Sequence, residues 1–303
     1  MRPQRLTFNF DSYEVEWAAP VGTVAYRREP PAQSCQWGNK DGDGGNHYNA
    51  WMNNWHPATK RILAEVERVS GKPIEVLSDS NLPLLASLQI ARNSAPAHLL
   101  RYQPTDKPVD YLVCYEAGFV LRLFANPTEK RFDFASTQLG KESLHTLLTV
   151  GNSFAEADKE ALPQFEEMLR HWALSNLRSL PIGMRIDEWL ARSVPDLREQ
   201  VVAGIVQQQQ VNVAALAQDY GNLSVPAHLL GANAAYALLA DRLLGSGAFS
   251  IPYAAAGALP YGERLLALWD KVPTDATFDT QLVDAWAAEL GMSGWYEWVP
   301  FRP

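Results

Sequence analysis

The chain has 303 residues, of which 47% are hydrophobic and 20% charged, a composition typical of a globular protein with a large core. Its net charge of −8 argues against a nucleic-acid partner, because proteins that bind phosphates carry a basic patch and no such cluster of Lys or Arg occurs in the sequence. The two cysteines, Cys35 and Cys114, are too few for a disulfide framework and favour a reducing compartment.

Neither a leader nor a membrane span is predicted. The first residues, MRPQRLTFNFDSYEVEW, lack the apolar core of a signal peptide. The longest weakly polar run, LLGANAAYALLA at 229–240, is too short to cross a bilayer. We therefore expect a cytoplasmic protein without a membrane partner.

The first third of the chain mixes strand and helix signals. LTFNF and TVAYRRE alternate apolar and polar residues, as half-buried strands do, and the Gly-, Asp- and Asn-rich stretch 36–49 predicts a loop. Its DGDGGN segment lacks the alternating donors and the later glutamate of a calcium-binding loop. HPATKRILAEVERVSG predicts a helix that begins near Pro57 and ends at Gly71, and KPIEVLSDS predicts a strand.

Residues 83–124 predict a short helix, a strand and a longer helix. The short helix covers 83–93, and the strand covers PAHLLRYQP at 96–104. Asp110 is a candidate N-cap for a helix that runs to Phe124 and ends at the Asn-Pro pair that follows. KRFDFAST then predicts one more short strand or an extended connection.

From about residue 153 the pattern becomes helical. Leu162, Phe165, Leu169 and Trp172 recur at spacings of three and four, which is typical of a helix with one buried face. We therefore predict two domains, an α+β domain at 1–152 and an all-α domain at 153–303.

Two shorter features of this helical half have more than one interpretation. The four glutamines at 207–210 favour an exposed helix face over a low-complexity tract. The aromatic tail GMSGWYEWVPFRP is expected to dock on the helical domain and close its core, with an exposed patch for a partner as the alternative.

A single glutamate stands in the apolar segment VDYLVCYEAGFVLRLF at 109–124. Burial of an unpaired charge is costly, so Glu116 needs a partner, a wet cavity or a chemical role. Tyr115 and Phe119 lie four residues apart and share one helix face beside it. In H-E-x-x-H this frame carries two zinc-binding histidines and a glutamate that activates water, whereas here it reads Y-E-A-G-F.

The segment from HLLRYQP into this helix resembles the active-site region of zincin-like metallopeptidases of the ImmA/IrrE kind, whose pattern is similar to DYxxAHExGHxLR. The chain keeps most of this pattern but neither histidine, and the kept residues are Asp110, Tyr111, Glu116, Gly118, Leu121 and Arg122. The resemblance covers residues 56–124 and the helical half only loosely. It implies a zincin-like fold with a cleft for polypeptide beside an edge strand.

The two replacements argue against standard zinc hydrolysis. Phenylalanine has no lone pair for a metal, and a tyrosine with an ordinary pKa near 10 is a neutral phenol at pH 7. Glu116 alone cannot hold a catalytic zinc, which needs about three protein ligands. We therefore expect a degenerate, non-catalytic metallopeptidase-like protein without a cofactor, in which Glu116 is a vestigial catalytic residue and the partner is a peptide or protein.

The resemblance also implies where a peptide binds, because an extended peptide can add a strand to a sheet edge and the expected edge is the segment 98–102. The candidate binding residues are His98, Arg101, Tyr102, Tyr115 and Phe119. The alternative is an active hydrolase, with either a rearranged metal site that uses His98 and Glu116 or a Glu116 carboxyl that acts as general acid or base. The sequence leaves the partner's identity and the oligomeric state open.

Overall fold

The computed structural model describes residues 55–82, 84–104, 109–149, 156–217 and 223–302. The strands predicted in LTFNF and TVAYRRE, the 36–49 loop and Cys35 lie outside these ranges. The described residues form a mixed α/β structure with two small sheets and a mainly helical C-terminal part. None of the helices in these ranges combines the length and the apolar character that a bilayer span requires.

The first helix, α1 (Pro57–Ser70), begins and ends where the sequence predicts. Pro57 occupies the first helical position, where a backbone N–H has no helical partner in any case. The imidazole of His56 accepts the N–H of Ala58 at 3.2 Å, and Gly71 ends the helix with a left-handed φ of 75°. Two buried positions, Ile62 and Val66, lie on one face of α1.

Three strands form the first sheet: β1 (Ile74–Ser78), β2 (Ala86–Gln89) and β3 (His98–Tyr102). The predictions of β1 and β3 are confirmed. The prediction of a short helix over 83–93 is wrong, because β2 occupies its middle. Ala86 and Leu88 are buried, whereas Ser87 is half-buried and Gln89 is exposed, and this period of two places one face of the strand against the core.

The prediction that residues 98–102 form a sheet edge is also wrong. β3 is the central strand, since it pairs in parallel with β1 and antiparallel with β2. Both sides of its backbone are therefore hydrogen-bonded, and no peptide can add a strand at His98, Arg101 or Tyr102. Among the described residues, β1 and β2 are the outer strands of this sheet.

The long apolar helix α2 (Val109–Ala125) packs on α1 and on the first sheet. Asp110 lies in its first turn, but its carboxylate reaches the neighbouring helix. It accepts the N–H of His56 at 3.0 Å and the hydroxyl of Thr59 at 2.6 Å. The residue predicted to cap α2 therefore secures the beginning of α1.

Helices make up most of the remaining chain: α3 (Gln138–Thr149), α4 (Glu156–Ser193), α5 (Arg198–Leu216), α6 (Gly231–Leu244), α7 (Ile251–Ala255), α8 (Leu259–Lys271) and α9 (Asp279–Glu289). The long helix α4 is central, because it contacts α2, α3, α5, α6 and α9. Gln208 and Gln209 on α5 are only 2% and 1% exposed, so the prediction of an exposed glutamine face is wrong for these two.

Two strands far apart in sequence form the second sheet. β4 (Phe132–Ser136) pairs antiparallel with β5 (Tyr296–Pro300), and Phe134 lies opposite Trp298. The all-α prediction for residues 153–303 is therefore wrong at β5. The expected docking of the aromatic tail is confirmed for Trp295, which is 2% exposed and joins the helical core, whereas Phe301, at 4%, packs in the cluster of α1, α2 and the first sheet.

The hydrophobic core continues across the predicted domain boundary at residue 152. One cluster joins apolar residues of α1, α2 and the first sheet with Ile186 and Leu190 of α4, Ile205 of α5 and Phe301 of the tail. The division into 1–152 and 153–303 stays a prediction, and the described residues on its two sides share a core and a sheet.

Candidate functional site

Glu116 is completely buried, at 0% exposure, in the middle of α2. It precedes Phe119 by three residues and Leu123 by seven, so the three side chains lie on one stripe of the helix. Phe119 and Leu123 line a cavity of about 440 Å³. The carboxyl of Glu116 therefore lies one helical turn before the part of α2 that forms the cavity wall.

The two positions that hold histidines in H-E-x-x-H are filled by packed aromatic rings. Tyr115 and Phe119 meet edge to face, with ring centroids 5.5 Å apart. Burial, together with the nearby charges of Asp187 and Glu116, raises the pKa of Tyr115 well above its ordinary value, so the side chain is a neutral phenol. Neither side chain therefore offers a donor that favours zinc.

His98 is a structural residue of the core. Its Nδ1 accepts the N–H of Ala91 at 3.0 Å, which leaves Nε2 as the donor to the Ser70 hydroxyl at 2.9 Å. Burial, with a smaller contribution from the charge of Lys72, lowers the pKa of His98 to about 4. The imidazole is therefore neutral near pH 7.

The structure does not bring His98 and Glu116 together. The imidazole packs against the ring of Phe124, which follows Glu116 by eight residues and so lies about 12 Å further along the helix axis. Arg101 and Tyr102 occupy the other end of β3, where Tyr102 packs against Trp55. No three His, Cys, Asp or Glu side chains within the described ranges are placed to hold a metal ion.

A buried carboxyl that the sequence did not single out lies close enough to Tyr115 for its charge to raise the pKa of that phenol. Asp187 of α4 accepts the hydroxyl of Tyr111 at 2.8 Å and that of Tyr236 at 2.7 Å, one on each oxygen. Burial raises the pKa of Asp187 to about 7, although the two hydroxyl groups act in the opposite direction. This Tyr–Asp–Tyr cluster joins α2, α4 and α6.

The spacing of α4 contains the signal that would have identified Asp187. Met184, Asp187 and Leu190 follow one another at intervals of three, and all three are buried. A carboxyl on an apolar helix face raises the same question as Glu116. Its partners lie on two other helices, and their convergence is not visible in the sequence.

The cavity lies between the C-terminal half of α2, the second sheet, α4 and the turn before α9. Its described lining is mostly apolar: Ile90, Phe119, Leu123, Phe132, Phe134, Ile182, Ala276 and Trp298. Polar and charged groups complete it: Arg122, Asn126, Lys130, Arg178, Thr277, Asp279 and Thr280. An apolar cavity with a few polar groups is the usual form of a ligand site.

Positive charge predominates in this lining. Arg122 donates two hydrogen bonds to the carboxylate of Asp279, at 2.9 and 2.6 Å, so that pair is neutral overall. Lys130 is exposed and forms no ion pair with any residue that the structure describes. Asp279 is the only carboxylate among the described lining residues, so the cavity favours an anionic group.

No family model, no curated protein and no solved structure matches the chain. The resemblance to zincin-like metallopeptidases therefore stays a prediction.

Proposed function

We propose that the chain is a non-catalytic binding protein with a metallopeptidase-like α2 region, and that its cavity accepts a peptide or protein segment. The observation that carries this proposal is the aromatic wall of the cavity, formed by Phe119, Phe132, Phe134 and Trp298, beside the exposed cation of Lys130. Its volume of about 440 Å³ suits a few side chains of a partner.

The residues at the zinc positions support a role without hydrolysis. Tyr115 is a neutral phenol, and Phe119 belongs to the wall of the cavity. The helix position that carries the second zinc-binding histidine in H-E-x-x-H would thus contribute apolar surface for binding instead. The Glu116 carboxyl would be a remnant of the catalytic frame.

A hydrolase that uses Glu116 as general acid or base is the second candidate. Its support is the complete burial of this carboxyl next to the cavity wall, because burial favours proton transfer near neutral pH. The Glu116→Gln variant separates the two candidates. It would abolish cleavage of a bound peptide in a hydrolase, whereas a binding protein cleaves nothing before or after the change.

Selection from a phage-displayed random dodecapeptide library tests the proposal. Thr280 lines the cavity, so the Thr280→Trp variant fills part of it, and Thr280→Val is the control that keeps its volume. We expect enriched peptides to bind the original protein and the Val variant equally and to lose at least about tenfold in affinity for the Trp variant. Enriched peptides that bind all three proteins alike, or no enrichment, would overturn the proposal.

A further inference from the structure

Within the residues that the structure describes, β4 of the second sheet has an unpaired edge, and its side chains line the cavity. The N–H of Phe301 donates to the carbonyl of Arg131, and the N–H of Thr137 donates to the carbonyl of Trp295, both at 2.9 Å. In an antiparallel sheet, hydrogen-bonded and non-hydrogen-bonded residue pairs alternate along the two strands. These two bonds therefore identify which residues of β4 are bonded to β5. The backbone groups of Phe132, Phe134 and Ser136 consequently point away from β5.

These outward groups are available for pairing. Among the described residues, none donates a hydrogen bond to them or accepts one from them. β5 is also the only described element that runs closely along β4. On the opposite edge, Pro300 removes one of the outward N–H groups of β5, which weakens that edge as a template. β4 therefore offers the better edge.

The side chains of β4 determine which residues of an added peptide would face the cavity. Phe132 and Phe134 share one face of β4, and both line the cavity together with Trp298. An added strand places every second side chain on this face. Those side chains would meet the aromatic wall, while the residues between them point the other way.

Charge specifies the peptide further. Lys130 stands two residues before β4, where it is exposed and lines the cavity. A net charge of −8 for the whole chain makes this cationic region a local exception, which favours an acidic segment.

We infer that an extended, acidic segment of a partner protein, with apolar residues at every second position, adds to β4 as a third strand of the second sheet. This inference rests on the proposed function, since it specifies how a peptide occupies the same cavity. It replaces β3 with β4 as the strand that receives the peptide.

The probe is the capped octapeptide Ser-Glu-Val-Ser-Phe-Glu-Val-Ser, and the measurement is fluorescence anisotropy of a labelled form. Each inner residue is N-methylated in turn. Strand addition predicts a loss of about tenfold at alternate positions only, because every second peptide N–H donates to β4. Binding that is lost equally at all positions or at none would overturn strand addition, while the library selection would still decide the proposed function. Absence of octapeptide binding would overturn the inference as well.

A matched pair of variants tests the protein side. Ser136→Pro removes one outward N–H without touching a β4–β5 bond, and Ser136→Ala keeps that N–H. We expect the affinity for the octapeptide to fall at least about fivefold in the Ser136→Pro variant and to stay unchanged in the Ser136→Ala variant. The two variants should have equal melting temperatures. Equal affinities in the two folded variants would overturn the inference. So would a dimer that Ser136→Pro dissociates in analytical ultracentrifugation, because a second copy would then occupy the edge.

Discussion

Tyr115 of α2 packs its hydroxyl directly against Gly183 of α4, in a space that only a residue without a side chain leaves open. A Cβ at Gly183 would lie 2.0 Å from Tyr115 Oη and 3.0 Å from the ring carbon that carries it. The phenol of Tyr115 is thus a packing element between two central helices. This contact makes Tyr115 part of the core.

We predict that Gly183→Ala destabilises the protein by about 2 kcal/mol or more, because the buried ring of Tyr115 has no room to move. Tyr115→Phe removes the clashing oxygen, so the double variant should recover at least about 1 kcal/mol relative to the sum of the single changes. Urea denaturation of the four proteins measures this coupling. Additive effects would contradict the contact.

The pH dependence of stability should contain two opposing contributions. Asp187 has its pKa raised from 3.8 to about 7, so its contribution to stability is lost as the pH rises through this window. His98 has its pKa lowered from 6.5 to about 4, so its contribution is lost as the pH falls from 6.5 to 4. Between pH 4 and 6.5 the two contributions largely cancel.

Single variants should reveal each contribution. Asp187→Asn should make stability rise more steeply with pH over pH 4.5 to 6.5, and His98→Asn should make it fall, each by up to about 1.4 kcal/mol per pH unit. The free energy of unfolding at several pH values, relative to the original protein, measures both slopes. If the free energy of unfolding of both variants changes with pH as it does in the original protein, the pKa shifts assigned to Asp187 and His98 are excluded.

Chelation should leave the protein unchanged. Phe119 has no donor atom, and burial keeps Tyr115 protonated, so α2 offers no pair of zinc ligands. We expect purified protein to contain far less than one zinc per chain and to show the same melting temperature with and without EDTA. Stoichiometric zinc that EDTA removes with a fall in melting temperature would contradict the proposed loss of the metal.

Replacement of Lys130 should change affinity without changing stability, since the residue is exposed. Lys130→Glu should weaken binding of the acidic octapeptide about tenfold at low ionic strength, and Lys130→Arg should not. The difference should shrink at 1 M salt, where the screening length is only about 3 Å. Anisotropy titrations at two salt concentrations measure this, and a salt-independent loss would indicate a structural effect.

The docked tail should be essential for stability. Phe301 is 4% exposed and packs against the ring of Phe124 and the guanidinium of Arg92. Phe301→Ala should cost about 3 to 5 kcal/mol, whereas Arg302→Ala, at the exposed next position, should change stability by less than about 0.5 kcal/mol. Thermal and urea denaturation compare the two, and similar small losses would contradict the docking of the tail.

Local signals predict the parts of the fold that local chemistry decides. The helix between Pro57 and Gly71 has its own start and stop residues, and the apolar run around Glu116 already indicates a buried helix. β2 is different, because the leucines of 83–93 suit a buried helix as well as a strand. Pairing with β3 decides its conformation, and that partner lies outside the segment.

The candidate site was predictable only in part for the same reason. Burial of Glu116 follows from its neighbours in sequence, and so does the aromatic pair beside it. The cavity needs Trp298 and Phe134 on one sheet, although more than half of the chain separates them. The acceptor role of Asp187 likewise needs tyrosines from two other helices.

The pairing of β4 with β5 also determines when during synthesis the cavity can be completed. β5 follows β4 by more than half of the 303 residues, so Trp298 reaches its place only after the long segment between the two strands has been made. Chains that stop short of β5 lack one wall of the cavity and leave both edges of β4 open to other strands. The proposed recognition would thus be restricted to molecules translated past β5, and shorter ones would be prone to aggregate.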